Sequence, residues 1–237
     1  MNEFEENNDD SLEEAAQPWL MTYADMMTLL FAFFVLLYSM SSPDPVKMSA
    51  MEDAIAKEAG IEGELKSQNE IKEEIEEIIE NLDLTNVANV IKDPRGVAIE
   101  LDGDICFGSG STNLQNRLEG VLNQVAAEIL INPNDYRMVI VEGHTDSQPI
   151  PENLKNYFPT NWELSAARAS SVVNYLINKG VNSGRLQASG YADRWPAEVS
   201  WFDVRSGKVN DQVINKQNKT QQQMNKNRRI KIVFTND

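Results

Sequence analysis

Arg137-Met138-Val139-Ile140-Val141-Glu142-Gly143 is the stretch on which the fold turns. A short apolar run, rich in β-branched residues and closed by glycine, reads as a buried strand. On its C-terminal side, residues 162–179 have a helical pattern stopped by Gly180. Arg185-Leu186-Gln187-Ala188-Ser189-Gly190-Tyr191 follows as a strand, and Arg229-Ile230-Lys231-Ile232-Val233-Phe234 closes the sheet. On its N-terminal side, residues 114–131 form a helix with Leu114, Leu118, Val121, Leu122, Val125 and Ile129 on one face. Farther back, residues 87–92 and 96–101 make a hairpin about the turn Asp93-Pro94-Arg95-Gly96. Strands interleaved with two helices predict an α+β sandwich over residues 86–237, with the helices on one sheet face. About 150 residues suffice for one independent core. Residues 196–226 are polar and rich in Gln, Asn and Lys, and read as a mobile loop.

Upstream the character changes. Residues 42–85 read as a helical linker. Met48, Met51, Ile55 and Ala59 make one apolar stripe. After Gly60 and Gly63 a second helix carries Ile71, Ile75, Ile78 and Leu82 at heptad spacing. That seam either pairs with a second copy or packs on the next domain, and three short repeats favour packing. Residues 1–18 hold seven acids and no Lys or Arg, so they cannot build a core. The chain has 37 acidic and 21 basic residues, a net charge of −16, which argues against a nucleic-acid partner.

Between tail and linker, residues 19–41 read as one transmembrane helix. After Pro18, the run Trp19-Leu20-Met21-Thr22-Tyr23-Ala24-Asp25-Met26-Met27-Thr28-Leu29-Leu30-Phe31-Ala32-Phe33-Phe34-Val35-Leu36-Leu37-Tyr38-Ser39-Met40 carries a single charge. At about 1.5 Å per residue it spans a hydrocarbon core of roughly 30 Å. Pro18 suits a first helical turn, Trp19 and Tyr38 sit where aromatic belts lie, and Ser41-Ser42-Pro43-Asp44-Pro45 stops the helix. Asp25 is costly inside a membrane and marks a partner helix or a water-filled path. A carboxylate there can exchange a proton or hold a cation. Thr22, Tyr23 and Thr28 are polar groups within a turn of it. The threonines can instead bond back to their own helix carbonyls.

Trp19-x-x-x-Tyr23-Ala24-Asp25-Met26-Met27-Thr28, ahead of Phe33-Phe34-Val35-Leu36-Leu37, resembles the transmembrane signature of the flagellar stator B subunit, the MotB/PomB family. The resemblance implies that Asp25 binds the ion of a proton or sodium channel, with Thr22, Tyr23 and Thr28 near it. It implies that Met48, Met51 and Ile55 lie on a plug helix that blocks leakage before assembly. It further implies a homodimer inside a ring of five multi-pass MotA/PomA-like subunits. Orientation follows the resemblance as well: N-terminus cytoplasmic, C-terminal domain periplasmic, with the inner membrane between. No cleavable signal pattern precedes the helix, and Lys47 is the one basic residue close to it.

Gly143-His144-Thr145-Asp146, then Leu164-Ser165-Ala166-Ala167-Arg168-Ala169, then Asn227-Arg228-Arg229, resemble in order the OmpA-like peptidoglycan-binding domain. In that family the residues matching Asp146 and Arg168 hold the diamino acid of the peptide stem. The chemistry is sensible in itself: an acceptor-only carboxylate and a forked guanidinium complement an ammonium–carboxylate end. Thr145 and Asn161 add hydrogen bonds and Leu164 a wall. One of Arg228 and Arg229 reaches ligand while the other is a solvated strand end; Arg229 is the one assigned to the site. The competing reading is that Asp146 and Arg168 simply pair with each other. The long stretch from Gln148 to Trp162 is similar to the stator version of this domain.

A lone Cys106 and a lone His144 leave no Cys- or His-based metal cluster and no catalytic triad; no phosphate loop or dinucleotide motif occurs. No cofactor is expected beyond the transported ion, and no enzymatic turnover. His144 reads as a strand-end structural residue. Two rivals stand beside the stator reading. One is a non-flagellar relative of the same motor class, such as a Zorya-type phage-defence membrane subunit. The other is a passive wall tether.

Overall fold

The computed structural model describes residues 18–40, 66–108 and 110–236, which fall into two units. The stripe of Met48, Met51 and Ile55 lies outside the described residues.

The first unit is helix α1, Pro18–Met40. Within it Trp19–Ser39 forms 21 residues of mean hydropathy 1.9. Good helix formers fill it, and its one proline sits at the first position, where a missing N–H costs nothing. Every side chain from Trp19 to Ser39 is exposed within the chain. A helix apolar all round buries its surface in lipid or against helices of other chains. Among the described residues α1 is the one helix long and apolar enough to cross a membrane.

The second unit is a mixed five-stranded sheet with its main helices on one face. Strands β1 (Ala88–Asp93), β2 (Gly96–Asp102), β3 (Val139–Gly143), β4 (Leu186–Gly190) and β5 (Arg229–Thr235) lie in the order β1-β2-β5-β3-β4. Only β3 and β4 are parallel, joined across a helix as parallel pairs require. The hairpin turn is closed by Asp93, whose Oδ1 accepts from Arg95 N at 3.0 Å.

Helix α2 (Gln68–Asn81) starts at a capping box in which Ser67 and Glu70 each accept from the other's backbone N–H. It buries Ile71, Ile75, Ile78 and Ile79 in the same core as Ile99, Leu101, Ile230 and Ile232. The isoleucine seam is therefore spent on this domain, as the packing reading expects. Each such side chain contributes about 1.5–3 kcal/mol on full burial. Gln68 ties the helix to the sheet: its amide donates to Thr235 O at 2.9 Å and accepts from Val97 N at 3.0 Å. A short helix α3 (Gly103–Cys106) follows β2. Helix α4 (Asn116–Val125) continues into a wider turn over Ala126–Leu130, and α5 (Asn161–Asn178) covers β3 and β4.

The segment 196–226 departs from the loop expectation. It forms three short helices: α6 (Trp201–Arg205), α7 (Asp211–Lys216) and α8 (Gln221–Asn227). Ser200, Asn210 and Thr220 cap them by accepting from the N–H three residues on, at 3.1, 3.1 and 3.2 Å. The polarity misleads because two of the polar residues, Asn218 in the segment and Asn227 just after it, are buried and paired. Asn227 donates to Gln217 O (2.8 Å) and Asn218 Oδ1 (2.9 Å), and accepts from Ala197 N (2.9 Å). Asn218 Oδ1 in turn accepts from Ser147 N at 3.1 Å, pinning the insert to the loop after β3.

Candidate functional site

The C-terminal ends of β3 and β4 meet the N-terminal turns of α5 at one glycine each. A Cβ on Gly143 would lie 2.1 Å from Ser165 O, and one on Gly190 would lie 2.6 Å from Ala166 N. Only glycine lets the helix approach the strands this closely. Ser165, fully buried, completes the clamp: its hydroxyl donates to Trp162 O (3.0 Å) and accepts from Ala192 N (3.1 Å). Ala192 O accepts from Thr145 N at 2.8 Å, so Ser165 fixes the loop that carries Asp146.

This junction opens into a cleft of about 530 Å³ lined by Thr145, Asp146, Asn161, Leu164 and Arg168, with Asp104, Phe107 and Arg228. Asn161, Leu164 and Arg168 recur at spacings of three and four, one face of α5. Asn161 is a clamp, donating to Asp146 O (3.2 Å) and Gln148 O (3.0 Å). The Thr145 hydroxyl is buried without a hydrogen-bond partner among the described residues.

Asp146 and Arg168 do not pair with each other. Asp146 Oδ1 accepts from Gln148 N at 3.0 Å, and Oδ2 accepts from Arg228 Nη1 at 2.7 Å. Arg168 Nε donates to Ser111 O at 3.1 Å, and its guanidinium lies 5.2 Å over the Phe107 ring. No carboxylate lies within 4 Å of it among the described residues. Burial, with the Arg228 charge adding to it, pulls the Arg168 pKa down. A buried guanidinium without a carboxylate carries an uncompensated charge.

Arg229 stands apart from this cleft, contrary to its assignment from sequence. Strand alternation sends it to the opposite sheet face, where it is 4% exposed. There its Nε meets Glu100 Oε1 at 3.3 Å and its Nη1 donates to Trp195 O at 3.2 Å. Its neighbour Arg228 precedes the strand and enters the cleft. Arg228 was within the recognised motif; Phe107 and Ser111, distant in sequence, carried no signal.

Arg229 belongs to a ladder of charges beneath Trp195. Asp93 meets Lys231 and Arg95, each at 2.7 Å, and Arg95 meets Glu142 at 2.6 Å. Burial alone would raise the Asp93 pKa, but Arg95 and Lys231 outweigh it and hold it at about 2. His144 is buried at the strand end, stacked on Tyr191 at 5.4 Å. Burial, then the Arg229 charge, push its pKa down to about 3, so the imidazole is neutral. Its role is packing, as read from sequence.

In α1, Thr22 Oγ1 donates to Trp19 O at 2.9 Å and Thr28 Oγ1 to Asp25 O at 2.8 Å. Both threonines use their protons on their own helix, and their spacing of three puts them about 60° around the axis from Asp25. Tyr23, two residues from Asp25, lies about 200° around, so the helix puts it on the other side from the carboxylate.

The architecture is that of a membrane-anchored OmpA-like domain. Comparison with known proteins agrees at both ends. The family profile described as "Membrane MotB of proton-channel complex MotA/MotB" matches residues 5–58, and the OmpA family profile matches residues 106–207. The chain is 33% identical over 241 residues to the uncharacterized protein YtxE of Bacillus subtilis, covering 93% of this chain and 89% of that one. It is 24% identical over 265 residues to Motility protein B of the same organism, covering 94% and 92%. Among solved structures, a MotB-like protein from Desulfovibrio vulgaris superposes with a TM-score of 0.57 at 20% identity, covering 72% of this chain and 91% of that one. The chain belongs to the MotB family, a non-enzymatic family, and its C-terminal domain is an OmpA-like peptidoglycan-binding domain.

Proposed function

We propose that this chain is the wall-anchored, ion-conducting B subunit of a flagellar stator. Protons or sodium ions pass Asp25 at the interface with a multi-pass A subunit, and the cleft around Asp146 and Arg168 holds the complex to the peptide stem of peptidoglycan. One membrane helix encloses no pore, so the partner supplies the other walls; two copies of this chain within a ring of five partners satisfy that need. The observation that carries the reading is the pairing, in one chain, of a single charge within the apolar run of α1 and a cleft with separate anionic and cationic poles.

The expected working order is simple. Asp25 accepts the ion from one side and releases it to the other, and the partner ring moves because the wall holds this chain still. A strain lacking its own B subunit tests it: the wild-type chain with its A partner restores swimming, and Asp25→Asn does not. Movement with Asp25→Asn overturns the channel reading. Swimming speed against external sodium at fixed pH separates sodium from proton.

A non-flagellar motor of the same class is the second reading. The relative at 33% identity is uncharacterized, and the match to Motility protein B stands at 24%. Restoration of wall-anchored ion flux without restoration of swimming favours it.

A further inference from the structure

The cleft is electrically lopsided. Both oxygens of Asp146 are engaged, one by Gln148 N and one by Arg228 Nη1 at 2.7 Å, while Arg168 faces no carboxylate among the described residues. Its anionic pole is thus capped by a tethered cation, and its cationic pole is open. Arg228 also has somewhere else to go. Its Nη2 reaches Asp104 Oδ2 at 3.2 Å and donates to Asn225 Oδ1 at 2.7 Å. The Asp104 side chain is 62% exposed and that of Asp146 only 7%, so Arg228 can release the buried carboxylate and stay paired with the hydrated one.

We propose that Arg228 is a built-in competitor for the ammonium position, so that ligand capture is an ion exchange. The incoming ammonium takes Arg228's place on Asp146, Arg228 remains on Asp104 and Asn225, and the ligand's carboxylate takes the open face of Arg168. The inference rests on the wall-binding reading above and adds an affinity threshold to it. A plain amine must displace Arg228 and gains nothing at Arg168. A stem whose end carries both ammonium and carboxylate gains a charge-assisted contact at each pole. Arg228 therefore raises the threshold for every amine, and the contact at Arg168 decides which end clears it.

The test titrates the full-length chain in detergent with two muropeptides by calorimetry: a disaccharide tripeptide ending in meso-diaminopimelate, and its lysine counterpart. Arg228→Gln binds both fragments about three- to fivefold more tightly and leaves their ratio unchanged, matching the worth of an ion pair whose guanidinium is partly exposed. Asp104→Asn binds it about threefold more weakly, because Arg228 then has Asp146 as its one carboxylate. In the Arg228→Gln background the Asp104 effect vanishes. Unchanged or weaker binding by Arg228→Gln, or an Asp104 effect that persists without Arg228, overturns the exchange. Asp146→Ala separates the two layers. If it abolishes binding while Arg228→Gln fails to tighten it, the exchange alone is wrong. If it binds like wild type, the wall-binding reading and this inference fall together.

Discussion

Arg228 and Arg229 are consecutive in the chain and serve opposite sides of the sheet: the first reaches Asp146 in the cleft, the second sinks beneath Trp195 to meet Glu100. Their substitutions should therefore separate binding from stability. Arg229→Ala empties a buried site and removes the bond to Trp195 O and one of two cations beside Glu100, and is expected to cost about 2–4 kcal/mol. Arg228→Gln frees one oxygen of Asp146 while Gln148 N still holds the other, and the Arg228 side chain is 22% exposed, so the cost should stay within about 1 kcal/mol. Urea unfolding of the two variants measures this; the opposite ranking would contradict the placement of the pair.

The glycine junction makes a second prediction. Gly143→Ala drives a Cβ into Ser165 O, where backbone rather than a flexible side chain must give way. Overpacking of this kind costs about 1–3 kcal/mol. Because α5 carries Asn161, Leu164 and Arg168, sedimentation with purified sacculi should fall even at temperatures where the variant remains folded. Wild-type stability and sedimentation would remove the clamp from the account.

Within the cleft, Arg168→Lys is expected to lower sacculus binding about tenfold or more. A lysine keeps the charge but loses the planar fork and the stacking on Phe107. Equal binding by Arg168→Lys would mean that charge alone suffices and that the forked geometry is irrelevant.

The buried ladder and His144 set the acid sensitivity. Asp93 is held at about 2 against an ordinary 3.8, so its stabilisation is complete above 3.8 and is lost as pH falls toward 2. That amounts to roughly 2 kcal/mol. His144 is held at about 3 against 6.5, so the unfolded chain takes up its proton first and stability declines as pH drops from 6.5 toward 3. The two effects have the same sign. Melting temperature should be level near neutrality and begin to fall below about 6.5, before most carboxylates titrate. His144→Gln should remove the decline between 6.5 and 4 and keep the steeper loss below it. An unchanged profile in that variant would contradict the neutral buried imidazole.

The elements that announce themselves in sequence are those with a strong local period. The membrane helix, the run ending at Gly143, the hairpin around Asp93-Pro94-Arg95-Gly96 and the α5 face of Asn161, Leu164 and Arg168 all stand where their spacing puts them. The insert of 196–226 did not read as helical because its apolar content is thin; its caps at Ser200, Asn210 and Thr220 were the available signal. Arg229 was misassigned because side-chain direction depends on where β5 begins, and a one-residue shift reverses it. Tyr23 was placed beside Asp25 by sequence distance, although residues two apart on a helix do not share a face. Phe107 and Ser111 join the cleft only through tertiary packing, which no local pattern encodes.

The central claim is that Asp25 carries an ion through a complex held to the wall. The most direct measurement is potential-driven ion uptake by cells co-expressing this chain with its multi-pass partner, comparing wild type with Asp25→Asn at matched membrane levels. The account predicts flux in the wild type and background flux in Asp25→Asn, with sacculus sedimentation equal in the two. Equal flux from both chains would contradict it.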